Sequence, residues 1–151
     1  MKKTLSILSI LSLISITQTA FAEIGYVDYA YISKNYPLAV QYNNNLKNKV
    51  QSIQNYAKQK DVQVSAAKTK EEKDRIRREG ISQVQSQQKE LSNLRTKYES
   101  ELTSKVRSAS ETIRVQKKLD MIIKADARVT GGVNCTNDVL NLLKAQNTKK
   151  R

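Results

Sequence analysis

"KKLDMIIKADARVTGGVNCT", residues Lys117–Thr136, decides how this chain folds. The stretch before it, Leu38–Gln116, is polar, with one glycine (Gly80) and no proline, which is the composition of long helix. The quoted stretch breaks that pattern. Leu119–Ala125, with Met121, Ile122 and Ile123 in a row, predicts a strand. Arg128, Val129 and Thr130, the Gly131-Gly132 pair and Val133–Cys135 predict a hairpin-like return. Then "TNDVLNLLKAQ" predicts a helix capped by Thr136 or Asn137, with Val139, Leu140, Leu142 and Leu143 on its apolar face, and "NTKKR" a frayed basic tail.

A strand at the foot of a charged helix needs something to pair with. "EIGYVDYAYISKNYP" supplies it: Ile24–Tyr29 suits a strand, its β-branched and aromatic run ending at Asp28, a helix-capping residue. A short helix over Ala30–Lys34 is predicted next, and Pro37 falls at a break or in the first turn of a further helix.

In the middle, Leu38, Tyr42, Leu46, Val50, Ile53, Ala57 and Val64 form one helical stripe. It fades near "AAKTKEEKDR", and a second stripe runs through Ile76, Gly80, Val84, Leu91, Leu94, Tyr98, Leu102, Val106, Ala109 and Ile113. Thr69 followed by Glu72 has capping-box form and places a helix start between the stripes. The reading is two antiparallel helices, roughly 45 Å and 65–70 Å long at about 1.5 Å per residue. One continuous helix with a stutter is the competing reading. The seam is poor: Gln87 and Gln88 stand where apolar residues belong, and Lys60 and Asp61 interrupt the other side.

The predicted strands thus lie at the two ends of residues 23–151, with the helices as an excursion between them. The fold class expected is α+β, mostly α: a small β body from 23–37 and 117–151, and a helical hairpin arm over 38–116 with its tip near 68–71. Such a body is small for a stable core, and joining copies through exposed strands and shared apolar faces is the remedy physics offers.

The first 22 residues, "MKKTLSILSILSLISITQTAFA", have a basic start, an apolar run from Leu5 to Ile16 and an Ala20-Phe21-Ala22 end. That is a secretory signal, with cleavage expected after Ala22 and export to the periplasm. No cysteine near the cut suggests a lipid anchor. The chain carries 27 Lys and Arg against 14 Asp and Glu, a net charge of +13. Because 16 basic and 9 acidic residues fall within Leu38–Gln116, the excess belongs to the helices as well as to the tail. A sign this uniform favours anionic partners. The lone Cys135 can form no internal disulfide.

Enzymatic chemistry has few carriers. The chain has no histidine, so there is no imidazole base and no activator for its one cysteine. It has no Cys/His metal spacing and no glycine-rich phosphate loop. The expectation is a non-enzyme without cofactor or metal.

"EIGYVD" near the start, the long polar helical middle, and "KKLDMIIKADARVTGGVNCTNDVLNLL" together resemble the Skp/OmpH family of periplasmic chaperones. The resemblance covers nearly all of 23–151 and rests on the order and spacing of Ile24–Asp28, Leu119–Ile123, Gly131-Gly132 and Asn137–Leu140. It implies a homotrimer whose β body joins three helical arms around a cavity. It implies a holdase, working without ATP, for unfolded outer-membrane β-barrel proteins. Ile24, Tyr26, Leu119, Met121, Ile122 and Ile123 are the expected body and oligomerisation residues. The family's basic lipopolysaccharide-binding cluster finds no matching positions here. Arg75, Arg77 and Arg78 form a separate basic cluster near the predicted tip, a candidate client or anion contact whose bland alternative is a solvated helix end. Two other functions stay open: a basic coiled-coil protein binding polyanions such as lipopolysaccharide, an anionic membrane surface or nucleic acid, and an envelope scaffold. The export signal and the lack of aromatic–basic stacking motifs weigh against nucleic acid.

Overall fold

The computed structural model describes residues 22–148. The predicted signal segment up to Phe21 and the last residues of the basic tail lie outside the described residues. The chain is mostly helical with one small sheet: β1 (Ile24–Val27), α1 (Tyr29–Asn35), α2 (Pro37–Ala66), α3 (Lys70–Lys117), β2 (Met121–Lys124), a 3-10 turn (Ala125–Ala127), β3 (Val133–Asn134) and α4 (Thr136–Thr148).

Local chemistry sets most boundaries. Asp28 ends β1 and caps α1, its carboxylate accepting from the Tyr31 N–H at 2.9 Å. Pro37 occupies the first turn of α2, where its missing N–H costs nothing. Thr69 caps α3, its hydroxyl accepting from the Glu72 N–H at 3.2 Å, with Glu71 and Glu72 at the positive end of the helix dipole. At the far end Lys118 takes a left-handed conformation (φ 57°), and the N–H groups of Lys118 and Leu119 turn back to carbonyls of the last helical turn.

That terminal motif corrects the predicted strand. Leu119 donates to the Arg114 carbonyl at 3.0 Å, so it closes α3 rather than opening β2. Ala125 likewise falls in the 3-10 turn, not in the strand. The hairpin-like return is corrected too. β1 is the central strand of an all-parallel sheet ordered β2-β1-β3, and β3 pairs with β1, not with β2. The glycine pair serves a crossing loop. Gly131 and Gly132 have φ of 72° and 86°, and a Cβ on Gly132 would stand 2.9 Å from the Ile24 carbonyl oxygen. The Thr136 cap is also revised: the side chain of Asn134 accepts from the Thr136 N–H at 3.0 Å, while the Thr136 hydroxyl accepts from the Asp28 N–H at 3.0 Å and ties α4 to the end of β1.

The core sits under one face of this sheet. Val27, Ile32, Tyr36, Ala39, Leu119, Cys135, Val139, Leu140 and Leu143 are buried together with Val106, Ala109 and Ile113 of α3. The base therefore draws on the last turns of α3 and the first of α2, beyond the chain ends alone. Gly25 is obligatory here, because a Cβ would lie 2.8 Å from a Leu119 methyl and 3.0 Å from both Cys135 Sγ and Ile122. Away from the core α2 and α3 stay in contact along their length. Partner numbers fall on one helix as they rise on the other: Tyr42 stacks on Tyr98 (3.9 Å), Lys49 pairs with Glu90 (2.9 Å) and Lys60 with Glu79 (2.8 Å).

Candidate functional site

Parallel register puts partnered residues on the same face of the sheet. Gly25, Ile122 and Val133 point inward; Ile24, Tyr26, Met121 and Ile123 share the outer face. No element of the described residues lies over that outer face: Met121 is 49% exposed and Ile24 37%. Tyr26 is half-buried because Arg128 lies over its ring at 3.7 Å, held there by a bond from its guanidinium to the Gly131 carbonyl at 2.8 Å. Val129, at the top of the crossing loop, is fully exposed. β2 and β3 are both edge strands within this chain.

The six body residues named from the sequence thus divide. Ile24, Tyr26, Met121 and Ile123 form one surface, whereas Leu119 is buried and Ile122 packs against the core. Single-sequence alternation allowed this split but could not assign it, because Met121–Ile123 is apolar on both faces and Leu119, read as part of the strand, belongs to the end of α3.

The helix pair is the second candidate surface. Beyond the body core its buried residues are Ile53, Ile76 and Gly80. Lys60 enters the seam as a spacer: its stem rests on Gly80, where a Cβ would meet Lys60 Cβ and Cγ at 3.3 Å, and its ammonium reaches Glu79. The hydrogen bond to Lys60 holds the Glu79 carboxyl below the usual range. Burial pushes up the Tyr42 hydroxyl, with its hydrogen bond to Glu101 adding to the effect.

Two grooves flank the seam. One, of about 320 Å³, is walled by Ala57, Val64, Ile81 and Val84, with Arg77 and Asp61 at its margin; Ile81 is 59% exposed. The other is lined by Asn48, Gln51, Ser52, Asn55, Gln59 and Gln87 beside Tyr56. At about 3.6 residues per turn, Ala57 and Asp61 lie on one side of the α2 seam residues Ile53 and Lys60, and Ser52 and Gln59 on the other.

The three arginines near the tip do not converge. Arg77 borders the apolar groove and pairs loosely with Asp74 at 3.5 Å. Arg75 lies on another flank with Glu72 and Glu79, and Arg78 makes no ion pair among the described residues. Cys135 is fully buried, its thiol pushed up chiefly by that burial, so it behaves as a small core residue. Among the described residues no cluster of three or more His, Cys, Asp or Glu could hold a metal ion, and no helix is long and apolar enough to cross a membrane. The uncovered sheet face, by contrast, was legible in part from the run Met121–Ile123. The chain matches no family model and no curated protein.

Proposed function

We propose that this protein is an exported holdase. Copies join through the outer face of the sheet, as a homotrimer, and their α2–α3 pairs project as antiparallel hairpin arms that hold unfolded outer-membrane β-barrel chains without ATP. One observation carries the proposal. An apolar sheet face lies uncovered at the foot of two helices of 30 and 48 residues whose seam, beyond the body core, buries only Ile53, Ile76 and Gly80 and leaves its other apolar residues half-buried. Helices that bury so little between them offer surface rather than a rigid strut, which also weighs against a scaffold.

The charge fits the same reading. A basic arm draws in acidic, unfolded chains over long range, and weak apolar contacts such as Ile81 and Val62 then add up across several arms. The parting of Arg75 from Arg77 favours diffuse capture over a single polyanion site. The Skp/OmpH resemblance supplies the client class and the trimer.

The test is light scattering. A denatured β-barrel membrane protein is diluted into buffer with and without residues 23–151, with no nucleotide present. Suppressed aggregation near one trimer per client is expected; unchanged aggregation overturns the holdase reading.

A further inference from the structure

We propose that the α2 flank bearing Asn48, Gln51, Ser52, Asn55 and Gln59, closed by Gln87 of α3, is a main-chain-binding groove that takes an extended, unfolded polypeptide segment through its side-chain amides. This rests on the holdase reading and names how one face of the helix pair grips its client.

Three observations support it. First, no residue lining this groove is charged, although charged residues make up 27% of the chain. Attraction by net charge therefore does not explain this face. Second, Gln87 Oε1 is buried with no hydrogen-bond partner within the protein. Turning the amide over would bury its nitrogen in the same place, so either orientation leaves a polar atom in want of a partner. Third, the lining residues step by three or four along α2. From Asn48 to Gln59 the row rises roughly 16 Å at about 1.5 Å per residue, the length of roughly five residues of extended chain.

Amides present a donor and an acceptor at once, and so do the peptide groups of an unfolded chain. A neutral amide row can bind those peptide groups whatever side chains the client carries. The groove on the other side of the pair, with Ala57, Val64, Ile81 and Val84, is suited to apolar side chains instead.

The test measures the dissociation constant of a fluorescently labelled, urea-denatured β-barrel protein diluted into roughly 0.5 M salt, where screening suppresses attraction by charge. Three variants of the full 23–151 chain are compared with the wild type. The first is Asn48→Ala/Gln51→Ala/Asn55→Ala/Gln59→Ala, which keeps the charge and favours helix. The second, Gln54→Ala/Gln83→Ala/Gln88→Ala, removes three exposed amides that line neither groove. The third is Gln87→Leu. The groove variant should bind on the order of tenfold more weakly and the control within twofold of wild type. Gln87→Leu should raise the melting temperature by giving the seam an apolar residue, yet weaken client binding. Groove and control variants that bind alike, or a Gln87→Leu protein that is more stable and binds unchanged, would overturn the groove while leaving the holdase reading intact. A wild type that binds no client overturns both.

Discussion

The body and the helix pair follow opposite rules. In the body, Val27, Ile32, Val106, Ala109, Cys135, Val139 and Leu143 are each at or below 1% exposure, gathered from β1, α1, α3 and α4 and from the link between β3 and α4. Along the pair outside that core, Ile53 and Ile76 remain 8% exposed, and a lysine stem and an amide fill seam positions between them. The body is specified by close packing among distant parts of the chain. The pair is specified by caps, helix propensity, a mostly half-buried apolar stripe and a few cross-helix bonds. A region held in that way can bend and expose surface without unfolding the rest.

Mutations can break or sharpen this contrast. The largest effect should come from the body. Leu143→Ala, at full burial, should cost about 2–5 kcal/mol of global stability in denaturant unfolding. Gly25→Val should follow at about 1–3 kcal/mol, because its first added carbon already collides with Leu119. Ile53→Ala should cost less than Leu143→Ala and act on the pair alone, read as faster hydrogen exchange in α2 and α3 with an unchanged body. Equal costs for Leu143→Ala and Ile53→Ala would erase the distinction.

Smaller changes test the pair's local logic. Thr69→Ala should remove about 1 kcal/mol and speed exchange in the first turn of α3. Acid should act most weakly. Lys60 and Arg114 hold the carboxyls of Glu79 and Glu111 below the ordinary value of 4.5. A carboxyl lowered in the folded state adds stability above its unfolded pKa and loses it as pH falls through the folded value. Protection of the pair should therefore hold at neutral pH and decline below about pH 4.5, slightly, because both sites are solvent-exposed.

The sequence made the two-region plan readable through separate signals. Helical stripes and the Thr69 cap are local, and so are Asp28 and Pro37; each was found near its expected place. The sheet was legible in its strands but not in its order. A Gly-Gly pair between apolar runs has the local form of a hairpin, and only the long-range pairing of β3 with β1 shows that the chain crosses instead. The sides of Ile122 and Met121 were hidden for a related reason. Leu119 continues an apolar run in sequence, but its backbone bond belongs to the end of α3. The amide groove gave only a faint signal, the two glutamines at seam positions 87 and 88. Of these, Gln87 is the one whose buried oxygen meets no partner.

The proposal turns on whether the uncovered face of Ile24, Tyr26, Met121 and Ile123 joins copies of the chain. Sedimentation equilibrium of residues 23–151, compared with Met121→Lys, tests this most directly. Met121 is half-exposed and outside the core, so lysine there should leave helicity by circular dichroism unchanged. The account predicts a wild type at three times the chain mass and a folded Met121→Lys monomer. A wild-type monomer at tens of micromolar, or a variant that keeps the full oligomer mass, would contradict it.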